Sequence, residues 1–170
     1  MRNNDKVRLR GLYHFVHRDR WGNILDEWDV ENLITNEGKD YILDSSLHDT
    51  DNVATWYFEI FTDGTASASH TYAVPGRTAA TTTITEATRQ AWGEGASSGQ
   101  SVTNATAATI TANGSLTVAG VGVVGSPTAA AGDDTKGNTA CADGVLLSDV
   151  DVSKTLADTE TLEITYSISA

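Results

Sequence analysis

Apolar and polar positions alternate from Leu9 to His17, so Leu9, Gly11, Tyr13 and Phe15 share one side of an expected strand. Arg18-Asp19-Arg20-Trp21-Gly22-Asn23 reads as a turn, with Gly22 or Asn23 able to take the positive φ of a tight hairpin. Ile24–Glu31 returns as a second strand in which Ile24, Asp26, Trp28 and Val30 alternate with Leu25, Glu27 and Asp29, leaving one side more acidic. The period then changes. Within Asn32–Leu43 and just beyond it, Ile34, Tyr41, Ile42 and Ser45 fall on one face at helical spacing, and Thr35 or Asn36 can cap the start. The spacing predicts one helix over Thr35–Ser45. Gly38 inside it costs about 1 kcal/mol relative to Ala, which points to a close approach of helix and sheet.

After the helix the pattern is that of β-structure. Thr55–Phe61 is the most hydrophobic stretch, with Trp56, Phe58 and Ile60 on one face and Tyr57 and Phe61 on the other. Such a strand should be covered on both sides, by an opposing sheet and by the helix. Further strands are expected over Thr83–Trp92, Ser101–Thr111, Leu116–Val124 and Gly144–Val150, with Asn113-Gly114 as a hairpin signal between the second and third of these. The closing strand, Thr159–Ile168, alternates cleanly, with Leu162, Ile164, Tyr166 and Ile168 facing inward. Thr62–Thr82, containing Pro75-Gly76, and Ser126–Asn138 read as long polar connections of the kind that carry function or motion. These elements predict a mainly β fold: an antiparallel two-sheet sandwich with one short helix and an N-terminal hairpin arm. Whether it is jelly-roll or immunoglobulin-like stays open. The organisation expected is a basic arm and hairpin over 1–31 and a β-sandwich body over 32–170.

Composition supports that class and charge refines it. Thr, Ala, Gly and Ser dominate from Gly64 to Gly144, where strong helix formers are sparse. Residues 1–20 hold six of the eleven Lys and Arg (Arg2, Lys6, Arg8, Arg10, Arg18, Arg20) against two Asp, a net +4, so the remainder carries −16 and the whole chain −12. An acidic body disfavours nucleic acid and anionic membrane as ligands. A basic arm on such a body fits contact with an acidic patch on a protein, such as a neighbouring copy, or else an edge strand whose charges prevent aggregation. Trp21, beside Arg18 and Arg20 at the hairpin tip, has the composition of an interface anchor. Lys6, Arg8, Arg10, Arg18, Arg20 and Trp21 are therefore the candidate partner contacts. Cys141 is the single cysteine, so no intramolecular disulfide is possible. The N-terminus has charges without an apolar stretch behind them, and no secretory leader is expected.

Candidate chemistry does not converge. Nucleophile-elbow, zinc-protease, phosphate-loop and dinucleotide motifs are absent. His14 and His17, three apart, would point to opposite faces of a strand, while His48 and His70 stand alone. Asp44, His48, Asp49 and Asp51 offer calcium-type ligands without EF-hand spacing, and a solvated loop explains them equally. Glu59, Glu86 and Glu94 are the carboxylates a glycosidase would draw on, but no spacing ties two of them together. No enzyme, cofactor or metal site is expected.

Six blocks, in order, carry a resemblance. They are Asn32-Leu33-Ile34-Thr35-Asn36-Glu37-Gly38, Thr55-Trp56-Tyr57-Phe58, Thr85-Glu86-Ala87-Thr88-Arg89-Gln90-Ala91-Trp92, Ser101-Val102-Thr103-Asn104, Gly144–Val150 and Leu156–Tyr166. Together they resemble tailed-bacteriophage virion proteins that decorate or cement the capsid. The sequence departs from that pattern at Ala157-Asp158, where the family has Gly-Asp before the last strand. The resemblance implies a β-sandwich without cofactor, assembled in the host cytoplasm onto the capsid surface. It also implies major capsid protein and copies of itself, as dimer or trimer, as partners. The competing reading is a receptor- or glycan-binding module of a tail fibre or adhesin.

Overall fold

The alternation in the two N-terminal strands and in the last strand is realised as a single sheet. A computed structural model of the chain describes residues 8–48, 52–127 and 134–170. Strands β1 (Arg10–Arg18) and β2 (Ile24–Glu31) form the expected hairpin, and β10 (Thr161–Ser169) lies on the other side of β1. The register sets Tyr13 against Tyr166 and Phe15 against Ile164. All four are fully buried, as is Leu162. Each such side chain contributes roughly 1.5–3 kcal/mol relative to an exposed one. The hairpin is thus built into the sandwich, with β1 an interior strand. The expected strand over Ser101–Thr111 divides into β6 (Ser101–Thr103) and β7 (Ala108–Thr111), which pair with successive parts of β10. Asn104 causes the division. Its side chain takes the place of a strand neighbour, accepting from Tyr166 N at 2.8 Å and donating to the Ile164 carbonyl at 3.1 Å.

The second sheet runs in the order β3 (Leu33–Ile34), β9 (Val145–Leu156), β8 (Leu116–Gly125), β4 (Tyr57–Phe61), β5 (Gln90–Ala91), antiparallel throughout. Phe58 and Ile60 enter the common core with Tyr13, Phe15, Leu162, Ile164 and Tyr166. This is the two-sheet sandwich with one short helix that the pattern predicts.

Helix α1 (Asn36–Leu47) starts where the pattern places it, with Thr35 as the cap: its hydroxyl accepts from Gly38 N at 2.9 Å and donates to the Leu146 carbonyl. Leu33 and Ile34, read with the helix, belong instead to β3, because Thr35 holds an extended backbone that ends the helix there. Gly38 meets the sheet as anticipated: a β-carbon on it would lie 2.4 Å from the Leu147 carbonyl oxygen.

Other expectations are corrected. The far side of β4 is covered by the Thr62–Thr82 connection rather than by the helix, with Arg77 over Phe61 and Tyr72 packed near Tyr57. Thr83–Trp92 is not a continuous strand. Only Gln90–Ala91 forms a strand, and Ile84 makes one isolated bridge with Ala112 through the bonds Thr85 N to Thr111 O and Asn113 N to Thr83 O. Asn113-Gly114 does turn the chain, with Gly114 at φ +84°, but it joins β7 of one sheet to β8 of the other and makes no hairpin. The Gly144–Val150 strand continues to Leu156. Burial alternates from Asp151 onward, and a bulge lies near Ser153, whose φ is +54°.

Candidate functional site

The hairpin tip is fixed by its own polar residues. The Asp19 carboxylate accepts from the backbone of Trp21 and Asn23 and from Asn23 Nδ2 at 2.8–2.9 Å, and Gly22 supplies a φ of +86°. The Asn23 side-chain bond is the main cause holding the Asp19 carboxyl below its usual range. Arg18 clasps Glu163 of β10 with Nε at 2.8 Å and a second nitrogen at 3.2 Å, and it also donates to the Gly22 carbonyl. The result is a rigid tip from which Trp21 projects, 73% exposed, with the Arg20 guanidinium 4.2 Å from its ring centre. Between this tip and the β9–β10 turn is a hollow of about 240 Å³ lined by Asp19, Arg20, Trp21, Ala157, Asp158 and Glu160.

The candidate contacts are divided in space. Arg8 and Arg10 are exposed at the start of β1, whereas Arg18, Arg20 and Trp21 lie at its other end, roughly 27 Å away at strand rise. Lys6 lies outside the described residues. Arg18 is engaged with Glu163, which leaves Arg20 and Trp21 as the projecting pair.

The histidines of β1 do face opposite ways. His14 is on the outer face, 2.7 Å from Asp29 and 3.4 Å from Glu27, and His17 is buried against Glu160 at 2.9 Å. The three carboxylates weighed for glycoside chemistry have separate roles. Glu59 is buried against Arg89, Glu86 accepts from Thr111 N through both oxygens, and Glu94 is exposed. Asp44 and His48 are exposed at the end of the helix, and Asp49 and Asp51 lie outside the described residues. Among the described residues no three His, Cys, Asp or Glu side chains are grouped to hold a metal ion, and no helix is long and apolar enough to cross a membrane.

Two buried ionic clusters went unread in the sequence. Arg77, in the long Thr62–Thr82 connection, donates to Asp149 at 2.5 Å and Asp151 at 2.8 Å and to the carbonyls of Asp63, Gly64, Ala119 and Val150. Asp149 also accepts from His70 Nδ1 and Ser67 N, so the connection is fastened onto β9 along its length. Arg89 pairs with Glu59 at 2.5 Å and reaches the Asn138 carbonyl, tying a second connection to β4. Burial pushes the Glu59 carboxyl above its usual range even with Arg89 opposing the shift. The available signal was Asp149, a charge that with Ser148 interrupts the apolar stretch Val145–Val150, where only a buried partner could sustain it.

Comparison of the chain with protein-family models, with curated proteins and with solved structures finds no match in any of the three. Fold and site together define a two-sheet antiparallel β-sandwich with a braced hairpin tip and ionic clamps on its long connections.

Proposed function

We propose that this protein is a capsid decoration, or cement, protein. It seats on the assembled head shell of a tailed bacteriophage across neighbouring capsid subunits and stabilises the shell without enzymatic activity. The observation that carries the reading is the braced tip: an aromatic and a guanidinium project together from a turn locked by Asp19, on a sandwich whose ionisable clusters are engaged in holding the fold. Exposed Trp and Arg anchors of this kind dominate interface energetics. Ordered sequence blocks resembling virion decoration proteins support it. A protein that binds only the assembled shell stabilises it by mass action, and several copies on one lattice gain avidity without strong single contacts.

The test is co-sedimentation with expanded heads, together with the temperature at which those heads rupture. The wild-type protein is expected to bind and raise the rupture temperature, and Trp21→Ala with Arg20→Ala is expected to lose both effects while melting like the wild type. Shells unaffected by the wild-type protein would overturn the reading.

A second reading, a glycan-binding module of a tail fibre or adhesin, draws on the hollow beside Trp21, where Asp19, Asp158 and Glu160 flank an exposed ring. It calls for binding to glycans or cells, blocked by Trp21→Ala, with no effect on shell rupture.

A further inference from the structure

Strand β2 is the outermost strand of its sheet. Among the described residues nothing pairs with its free edge, and such an edge is a template for another strand. Its inner face is fixed by Trp28, stacked on Phe15, and by Val30, packed on the core. Glu27, Asp29 and Glu31 therefore lie on the outer face at every second residue, where His14 pairs with Glu27 and Asp29 and Arg18, itself clasped to Glu163, lies near Glu27. The inward-facing Asp26 is already matched by Lys154. The outer row is thus an acidic ladder beside an unpaired backbone edge.

Three occupants can be weighed by charge. A second copy of β2 would set carboxylate against carboxylate along the outer face, which opposes pairing. The N-terminal segment carries the opposite ladder: Arg2, Lys6 and Arg8 have the same parity as the uncharged Asn4, whereas Asp5 has the other. As an extended strand it would present its basic residues on one face. Addition within the same molecule is obstructed. Arg10 is held in β1 at the Glu31 end of β2, and the one residue between it and Arg8, Leu9, is too short to carry the chain past β2 and reverse it into an antiparallel strand.

We propose that the free edge of β2 receives residues 2–8 of a neighbouring copy as an added antiparallel strand. A register that sets Lys6 beside Asp29 sets Arg8 beside Glu27 and Asn4 beside Glu31. Backbone bonds supply the pairing, and the two charge ladders choose the partner and direction. This goes beyond the head-shell reading by naming a contact between copies of the chain.

The experiment is sedimentation velocity on the isolated full chain over a range of concentration and salt. The expected result is reversible self-association that weakens with salt. The reversals Lys6→Glu with Arg8→Glu, and separately Glu27→Lys with Asp29→Lys, should each raise the dissociation constant by about tenfold or more. All four changes in one chain should restore it, whatever the number of copies in the assembly. Thermal melting of each variant verifies that these exposed positions leave the fold intact. A full chain that stays monomeric, reversals that leave association unchanged, or a combined variant as weak as either pair would each overturn the proposal. Because no head shell is present in this measurement, its failure and that of the head-shell reading are told apart.

Discussion

The Tyr13 hydroxyl of β1 lies 2.6 Å from the Ser148 hydroxyl of β9, a hydrogen bond that crosses the sandwich from one sheet to the other. Both residues are fully buried, and the Tyr13 ring is 4.4 Å from that of Tyr166. Burial is the main cause raising the Tyr13 phenol well above its ordinary pKa and pushing that of Tyr166 up to about 12, so both remain neutral. The bond fixes how the two sheets sit against each other.

Tyr13→Phe leaves Ser148 without its partner on β1 and should cost about 1–3 kcal/mol in urea unfolding. Ser148→Ala should cost a similar amount. The double variant should lose clearly less than the sum, since removing both partners leaves neither stranded. Additive losses would show that the bond carries no coupling.

Arg77→Met removes the guanidinium that lies over the Phe61 ring and leaves the Asp149 carboxylate buried beside His70 without it. Breaking one side of such a pair costs about 3–5 kcal/mol. Limited proteolysis should then cut within Thr62–Thr82 of the variant, whereas the clamped wild-type segment is expected to resist under the same conditions.

Gly38→Ala would ordinarily favour a helix by roughly 0.5–1 kcal/mol. Here the new methyl would press on the Leu147 carbonyl oxygen and α-carbon, backbone atoms that cannot turn aside. The expected outcome is a loss of about 1–3 kcal/mol, read as a lower melting temperature.

The pH dependence follows from five carboxyl groups. Asp19, Asp26, Asp63 and Glu160 are held below their ordinary values, chiefly by bonds from the Asn23 side chain, the Lys154 ammonium, Thr78 N–H and Ala157 N–H respectively. Their contribution is present above the unfolded-state values, near pH 4, and is lost as pH falls through the folded ones. Glu59 has the opposite sign. Raised by burial, it favours the fold most below its unfolded value and loses that contribution as pH rises through its folded one. With four groups against one, the melting temperature should fall on acidification below about pH 4. Asp63→Asn should flatten that fall.

Much of the framework is legible because local pattern and tertiary setting agree. In β1 and β10 every second residue meets the same core, joined by Trp28 and Val30 of β2, and at α1 the cap, the Gly38 approach and the apolar face all coincide. Thr83–Trp92 misleads because its alternating Thr and Ile suit a strand, yet its backbone partners come singly from Thr111, Asp134 and Trp56. Asn113-Gly114 specifies a turn, but a turn does not say whether the next strand stays in the same sheet. For the candidate site, the exposure of Trp21 follows from its charged neighbours. The clamps at Arg77 and Arg89 join residues 72 and 30 positions apart, a separation no local pattern can encode.

The pairing of β1 with β10 has a consequence for synthesis. Tyr13 and Phe15 precede the other core residues in the chain, and the strand that pairs with theirs edge to edge ends at Ser169. The inner edge of β1 must leave the ribosome unpaired and wait for its partner until β10 has emerged. A closure this distant in sequence makes folding slow and late. A nascent chain cut short before Thr161 would leave that edge open as a template for other strands and be prone to aggregate.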